Sequence, residues 1–309
     1  MHNRHVPVML AEALAFLNIR PAGVYVDGTL GGGGHAAAIC REAGPGGLLI
    51  GIDRDPQAVA LAGAALAPFG PRARLFQGDF TQIGELLAGL GLPGADGILL
   101  DLGISTNQLE QSGRGFSFQG EEPLDMRMDP AAGETAADMV NRYPEAELKR
   151  IFAEYGEERH AGKVARRIGT ARRRRPIETS AELARIVAGA VAGGRSGRQR
   201  IHPATRVFMA LRIAVNRELE RLESFFDRLP EWLNPGGRVC VIAFHSLEDR
   251  IVKHRLRALA GGTERDARGR AAPAGPLRLL TRRVVRPGPE EIAANPLARS
   301  ARLRAAERR

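Results

Sequence analysis

Only two cysteines occur in the 309 residues of this chain, Cys40 and Cys240. Both lie in apolar surroundings and neither has metal-ligand spacing, so the sequence predicts buried free thiols, with neither a disulfide framework nor a zinc site. Lysine is almost as scarce: Lys149, Lys163 and Lys253 are the only three, and the other 42 of the 45 basic residues are arginine. An Arg- and Ala-biased genome accounts for that preference. Long hydrophobic stretches are missing as well. No run of about 18 apolar residues exists, which excludes a membrane-spanning helix. His2, Arg4, His5 and Pro7, with no apolar run after them, do not make a signal peptide. A cytoplasmic protein that does not enter a membrane is the expectation.

What is present is 44% hydrophobic, enough over this length for one sizeable domain and a smaller one. The net charge of +10 is unevenly laid out. Residues 159–217 hold 15 basic residues against 2 acids, and residues 250–309 hold 16 against 5, so the rest of the chain is net acidic by 14 charges. Codon bias explains Arg over Lys; it does not explain why cations are segregated from anions. Basic segments flanking an acidic region are the electrostatic footprint of a polyanion binder.

The acidic region has a pattern. Four apolar runs each stop on an aspartate: Val24–Asp27, Leu49–Asp53, Leu75–Asp79 and Ile98–Asp101. Each is followed by a turn and a helix-like segment, which reads as successive parallel strands of an open α/β sheet. Ligands of such sheets bind outside the carboxyl ends of the strands. Four carboxylates there suit amine, hydroxyl or sulfonium groups and repel a bare phosphate. After Asp27 comes Gly28-Thr29-Leu30-Gly31-Gly32-Gly33-Gly34-His35, more glycine than a tight turn needs, with backbone amides free to meet a ligand. Gly31, Gly33 and Ala36 match a loose dinucleotide pattern that is weak alone. Asp53 is placed to accept ribose hydroxyls, Asp55 with Pro56 to cap a helix, and Asp79 and Phe80 to meet an adenine.

Beyond Asp101 a polar, Gly-rich stretch runs through Ser105, Phe116 and Phe118 to Asp129, too long for a surface connector and expected to fold over the pocket. From about Thr135 to Arg200 the pattern is helical and basic, including the tetrad Arg172–Arg175. His202-Pro203-Ala204-Thr205-Arg206 then opens one long amphipathic helix, with Phe208, Leu211, Val215, Leu219, Leu222, Phe226 and Leu229 at helical spacing, expected to pack on the sheet. After Asn234-Pro235-Gly236-Gly237 the apolar run Val239–Phe244 returns the chain to that sheet as a strand buried on both faces. Residues 1–104 and 201–309 are therefore expected to form one nucleotide-binding domain, the latter with a basic tail. Residues 105–200 are expected to be inserted as a helical and loop RNA-recognition domain.

These residues resemble the bacterial 16S ribosomal RNA cytosine-N4-methyltransferases, the RsmH or MraW family. The matching blocks run nearly end to end: His5–Leu10, Asp27–His35, Asp53-Arg54-Asp55, Asp101 through Asp129, Tyr155–Arg159, His202–Arg206, Phe244–Arg250, Asn295-Pro296 and Arg299-Ser300-Ala301. Small departures are Thr106-Asn107 in place of Ser-Pro, Asp79 at a variable position, and Met209 in place of Gln. The resemblance implies a class I S-adenosylmethionine-dependent methyltransferase, a Rossmann-like sheet with a small helical insertion that recognises RNA. It implies 16S rRNA or the small ribosomal subunit as partner, a decoding-centre cytidine as target, and leaves a homodimer open. It places the cofactor on Gly33, Gly34, His35, Asp53, Phe80, Asp101 and Gln108; the reading of the acidic edge and glycine loop adds Asp27 and Gly31. No metal is expected.

Methyl transfer from a sulfonium to an amine needs in-line placement, with about 3 to 3.5 Å between the reacting atoms. The cytosine amine is a poor nucleophile, and an acceptor beside it orients its lone pair and takes its proton. Asp101 and Ser105 are the candidates, and His245, directly after the last strand, is a third catalytic candidate through contact with the base or its phosphate. Transfer to ring carbon five would need a cysteine nucleophile, which neither Cys40 nor Cys240 is placed to be. The target base must be unstacked, and Phe116, Phe118 and Tyr155 are candidates to stack on it. Two other classes compete: an NAD-dependent oxidoreductase, whose pyrophosphate Asp27 and Asp101 oppose, and a non-enzymatic ribosome-assembly RNA-binding protein, which has no need of the acidic row.

Overall fold

Seven strands form one sheet: β1 (Val24–Asp27), β2 (Leu48–Asp53), β3 (Ala73–Gln77), β4 (Ala95–Asp101), β5 (Leu233–Ala243), β6 (Leu277–Leu279) and β7 (Arg302–Arg308), in the order β3-β2-β1-β4-β5-β7-β6. The computed structural model describes residues 7–191, 202–261 and 273–309; His5, Val6 and the domain boundary expected at 200/201 lie outside them. β3, β2, β1, β4 and β5 are parallel, and β7 runs antiparallel between β5 and β6. An open sheet reversing its order between β1 and β4 puts a crevice at the carboxyl ends of those two strands. The four expected strands are all present, and the third ends at Gln77, two residues before Asp79.

The central strands are apolar over most of their inner length because each of their faces is covered. Along β4, Ile98 and Leu100 join Val26, Val239 and Val241 on one side, while Leu99 joins Tyr25, Leu49, Cys240 and Ile242 on the other. That is the two-residue period of a pleated strand. The second face is covered by α1 (Leu10–Leu17), α2 (Gly34–Ala43) and α3 (Pro56–Leu66).

Contacts divide the chain into two compact units, residues 1–103 with 219–309, and residues 104–218. The first also contains α4 (Ile83–Gly89). The second contains α5 (Thr106–Glu110), α6 (Ala136–Arg142), α7 (Glu145–Glu154), α8 (Ala161–Arg172), α9 (Ser180–Val191) and α10 (Ala204–Asn216). It has its own core, in which Phe116, Leu124, Met126, Phe152, Val164, Ile168, Leu183, Phe208 and Leu211 are all buried.

The long helix expected from Ala204 to Leu229 is two helices. Arg217 adopts φ 52° and ψ 40°, a left-handed conformation that ends α10, and α11 (Glu218–Trp232) begins at the next residue. α10 buries Val207, Phe208 and Leu211 in the core of the second unit, not on the sheet. α11 buries Leu222, Phe225, Phe226 and Leu229 against the first face of the sheet, beside Val252 and Leu256 of α12 (Ser246–Ala260). The second boundary therefore falls after residue 218, where the backbone breaks, and not at 200. A short α13 (Pro289–Ala294) precedes β7, and no helix of the described residues is long and apolar enough to cross a membrane.

Candidate active site

β1 ends on Asp27, and the next six residues form the loop that enters α2. Asp27 is 1% exposed; its Oδ1 accepts from the Thr29 amide at 3.2 Å, and its Oδ2 has no hydrogen-bond partner. The loop glycines are required at two points. A Cβ on Gly28 would lie 2.5 Å from Leu100 Cδ2 and 3.0 Å from Phe80 Cβ. Gly33 has φ +79° and packs on α3, where a Cβ would stand 3.3 Å from the Ala62 Cα. Leu30 donates to the Ile52 carbonyl at 3.0 Å and Gly31 to Asp53 Oδ2 at 2.8 Å, tying the loop to β2. Gly34 and His35 form the first turn of α2.

Asp53 Oδ1 accepts from the Asp55 amide at 2.9 Å. Each Asp53 oxygen thus holds one backbone donor and keeps a lone pair for another. Asp55 caps α3 as expected, accepting from Gln57 at 3.0 Å with Pro56 in the first turn.

At the tip of β4 the Asp101 amide donates to Thr29 Oγ1 at 2.6 Å. Asp101 Oδ2 stands 3.6 Å from His35 Nδ1, and Oδ1 is buried without a partner. The other ring nitrogen of His35 meets the Val8 carbonyl at 3.1 Å. Thr29 and the Val8 carbonyl were not legible as site groups. A hydroxyl two residues past a strand-terminal carboxylate is the one local signal for Thr29, and it does not say which strand the hydroxyl reaches.

These carboxylates crowd a poorly solvated edge. Burial, and then the Asp53 charge, push Asp27 up to about 7. Burial pushes Asp53 up to about 6, and burial together with Asp27 and Glu248 holds Asp101 well above the ordinary carboxylate range. Donors or positive charge would relieve this arrangement and further anions would aggravate it. S-adenosylmethionine, with its amine, sulfonium and ribose hydroxyls, fits the two unpartnered oxygens. A pyrophosphate does not.

Asp79 does not belong to this set. It caps the turn Phe80–Gln82, its Oδ1 accepting from Thr81 at 2.9 Å, while Oδ2 pairs with Arg221 at 3.0 Å and Arg54 at 3.7 Å. Its expected adenine contact is corrected accordingly: the carboxylate is taken up by two arginines. Phe80 is half-buried, edge-on to Phe225 at 5.8 Å, with Gly28 beside its Cβ.

Of the remaining candidates, His245 is the N-cap of α12, accepting at Nδ1 from the Glu248 amide at 3.4 Å, with Nε2 3.1 Å from Glu248 Oε1. Ser105 and Gln108 fall in the second unit. They form a reciprocal capping box on α5, Ser105 Oγ accepting from the Gln108 amide and Gln108 Oε1 from the Ser105 amide, both at 3.1 Å. The structure thus gathers Asp27, Gly31, Gly33, Gly34, His35, Asp53, Phe80 and Asp101 within the first unit.

The family model described as the MraW methylase family matches residues 2–309. The chain is similar to the ribosomal RNA small subunit methyltransferase H of Geobacter sulfurreducens, at 52% identity over 98% of each chain. It is similar to the protein of the same name from Desulfosudis oleivorans, at 50% identity over 100% of each. Among solved structures, an S-adenosylmethionine-dependent O-methyltransferase from Thermotoga maritima aligns with 99% of this chain and 68% of its own, at 11% identity and a TM-score of 0.43. A family match across essentially the whole length, together with relatives about 50% identical over their full length, leaves one assignment: the chain belongs to the MraW methylase family of S-adenosylmethionine-dependent methyltransferases.

Proposed function

We propose that this enzyme methylates the exocyclic N4 amine of a decoding-centre cytidine in 16S rRNA. The observation that carries the reading is Asp101: a strand-tip carboxylate with one buried oxygen unpartnered, fixed at its backbone by Thr29 and flanked by His35. S-adenosylmethionine, when bound, supplies a methyl group activated by the sulfonium. Asp53 would hold the ribose hydroxyls and Phe80 would meet the adenine, with Asp27 and the loop residues Gly31 to His35 completing the seat. Asp101 accepts from the target amine, directs its lone pair and takes the proton released as the nitrogen–carbon bond forms. His245 would assist at the base.

Nitrogen is favoured over ring carbon by the thiols. Cys240 is buried within β5, its thiol pushed up by burial and by the Asp101 charge, and Cys40 is buried in α2 with a raised thiol. Neither supplies the thiolate that carbon-five chemistry needs.

The RNA side of the reading is supported by the second unit. On α8 the buried face is Ala161, Val164, Ala165, Ile168 and Gly169, and Lys163, Arg166 and Arg167 are exposed on the other, followed by Arg174 just beyond the helix. These four cations have no ion pair among the described residues, and they suit a phosphate backbone. The relatives' names, which specify the small ribosomal subunit, support the choice of RNA.

Mass-spectrometric mapping of rRNA nucleosides from cells with and without this protein tests the proposal. N4-methylcytidine should vanish from one small-subunit position in its absence; an unchanged map, or loss of 5-methylcytidine instead, overturns it. Equilibrium titration with S-adenosylmethionine and with NAD adds an independent check, and tight NAD binding without S-adenosylmethionine binding also overturns it.

A further inference from the structure

The motif His202-Pro203-Ala204-Thr205-Arg206 has no part in the cofactor seat, yet it builds a column of rings in the second unit. Phe208 on α10 is 4% exposed and belongs to that unit's core. Phe118, half-buried, stands edge-on to it at 5.5 Å and 79°. His202 then stacks on Phe118 with ring centroids 4.5 Å apart and planes 16° from parallel, and it is exposed. Its Nδ1 accepts from the Ala204 amide at 3.2 Å, which fixes the ring at the entrance to α10. A flat ring held from behind by a second ring and from the side by the backbone presents its outer face to solvent with little rotamer freedom left to lose.

Two of the rings that the sequence pattern points to are differently placed. Phe116 is buried with the Arg114 guanidinium 5.5 Å from its centroid, and Tyr155 is half-buried with Arg150 at 6.0 Å. His202 is exposed where Phe116 is buried and Phe118 and Tyr155, to which the sequence pattern points, are half-buried.

The geometry points to His202 as a stacking platform for an unpaired base of the RNA substrate, with Phe118 as its support. This rests on the RNA reading given above. The occupant is chosen by charge: residues 159–217 carry 15 basic residues against 2 acids, so a polyanion is drawn to the unit that displays the ring. In single-stranded nucleic acid every base offers a π-face, and stacking on an aromatic ring contributes about 1–3 kcal/mol per base.

The test is fluorescence anisotropy with a labelled oligoribonucleotide of the decoding-centre sequence, using the full chain. His202→Ala should weaken binding by roughly 5- to 100-fold. His202→Asn, which keeps an acceptor for the Ala204 amide but has no ring, should be as weak, whereas His202→Trp should stay within about threefold of wild type. The dependence of affinity on salt should be the same in all four proteins, because no phosphate-binding cation is removed. Binding by His202→Ala within twofold of wild type overturns the platform, and so does recovery by Asn without recovery by Trp, which would leave only the cap. These outcomes are separate from failure of the functional reading. If N4-methylcytidine depends on the protein while the His202 variants bind RNA like wild type, only the platform falls.

Discussion

His35 holds the Val8 carbonyl at one ring nitrogen, 3.1 Å away, and faces Asp101 Oδ2 with the other, at 3.6 Å. A carbonyl oxygen only accepts, so the nitrogen facing Val8 carries hydrogen and a neutral ring turns a lone pair toward Asp101. The contact is attractive when a proton lies between the two side chains. Burial, Asp27 and Glu248 displace Asp101 upward, in the direction that favours such a shared proton. Because the role proposed for Asp101 is to take the proton of the amine once the methyl donor is bound, Asp101→Ala should lower kcat by about 10²- to 10⁴-fold, the usual contribution of a proton acceptor, while leaving RNA affinity unchanged. Single-turnover assays alongside anisotropy check this, and unchanged turnover removes Asp101 from the mechanism.

Affinity for S-adenosylmethionine should rise between pH 5 and 7.5. Asp27 at about 7 and Asp53 at about 6 are partly protonated in the free protein, and only the ionised forms accept fully from the ligand's donors. Binding should release protons, which calorimetry in buffers of different ionisation enthalpy detects. An affinity that is flat across this range contradicts the assignment of these carboxylates.

The ligand-free protein should lose stability over a neighbouring window. An acid whose folded value lies above its unfolded one favours folding in its protonated form. For Asp27 that contribution is complete below 3.8 and disappears as pH climbs to about 7. One pKa unit corresponds to about 1.4 kcal/mol, so the rise from 3.8 to about 7 makes the loss on the order of 4 kcal/mol. Asp27→Asn should flatten the dependence, as denaturant unfolding at pH 5 and pH 8 would show.

Arginines of the second unit should divide into two classes. Arg166→Ala, Arg167→Ala and Arg174→Ala should each lower the slope of log affinity against log salt by roughly 0.7–0.9, the share of one neutralised phosphate. Arg172→Ala should not, because its guanidinium donates to the Val140 carbonyl at 2.8 Å and serves the fold. Its effect should appear in thermal unfolding.

Asn216, 1% exposed, ties the segment carrying Met126 to α10: Oδ1 accepts from Met128 at 2.8 Å, and Nδ2 donates to the carbonyls of Met126 at 2.8 Å and Arg212 at 2.9 Å. Met126 is held there at φ 61°, a left-handed conformation costly for a residue with a Cβ. Asn216→Ala should destabilise the second unit by about 2–4 kcal/mol. Hydrogen exchange over residues 124–129 should accelerate with it.

Local chemistry made much of this molecule readable. Asp55-Pro56 announced a helix cap, Asp27 and Asp101 announced strand ends, and the apolar run from Val239 announced a strand covered on both faces; all are decided by residues close in sequence. The break at Arg217 was hidden because apolar residues keep helical spacing on both sides of it, and because the residue in the left-handed conformation is an arginine and not a glycine.

Alternation and turn chemistry, acting over a few residues, determined the parallel strands, the row of aspartates and the glycine loop. Tertiary structure alone decided which members of that row keep an unpartnered oxygen. Arg221, far along the chain, takes up Asp79, whereas among the described residues no cation pairs with Asp27. It likewise decided which arginines and which aromatic ring remain exposed, because pairing and burial depend on what folding brings near each side chain, and sequence separation does not encode that distance.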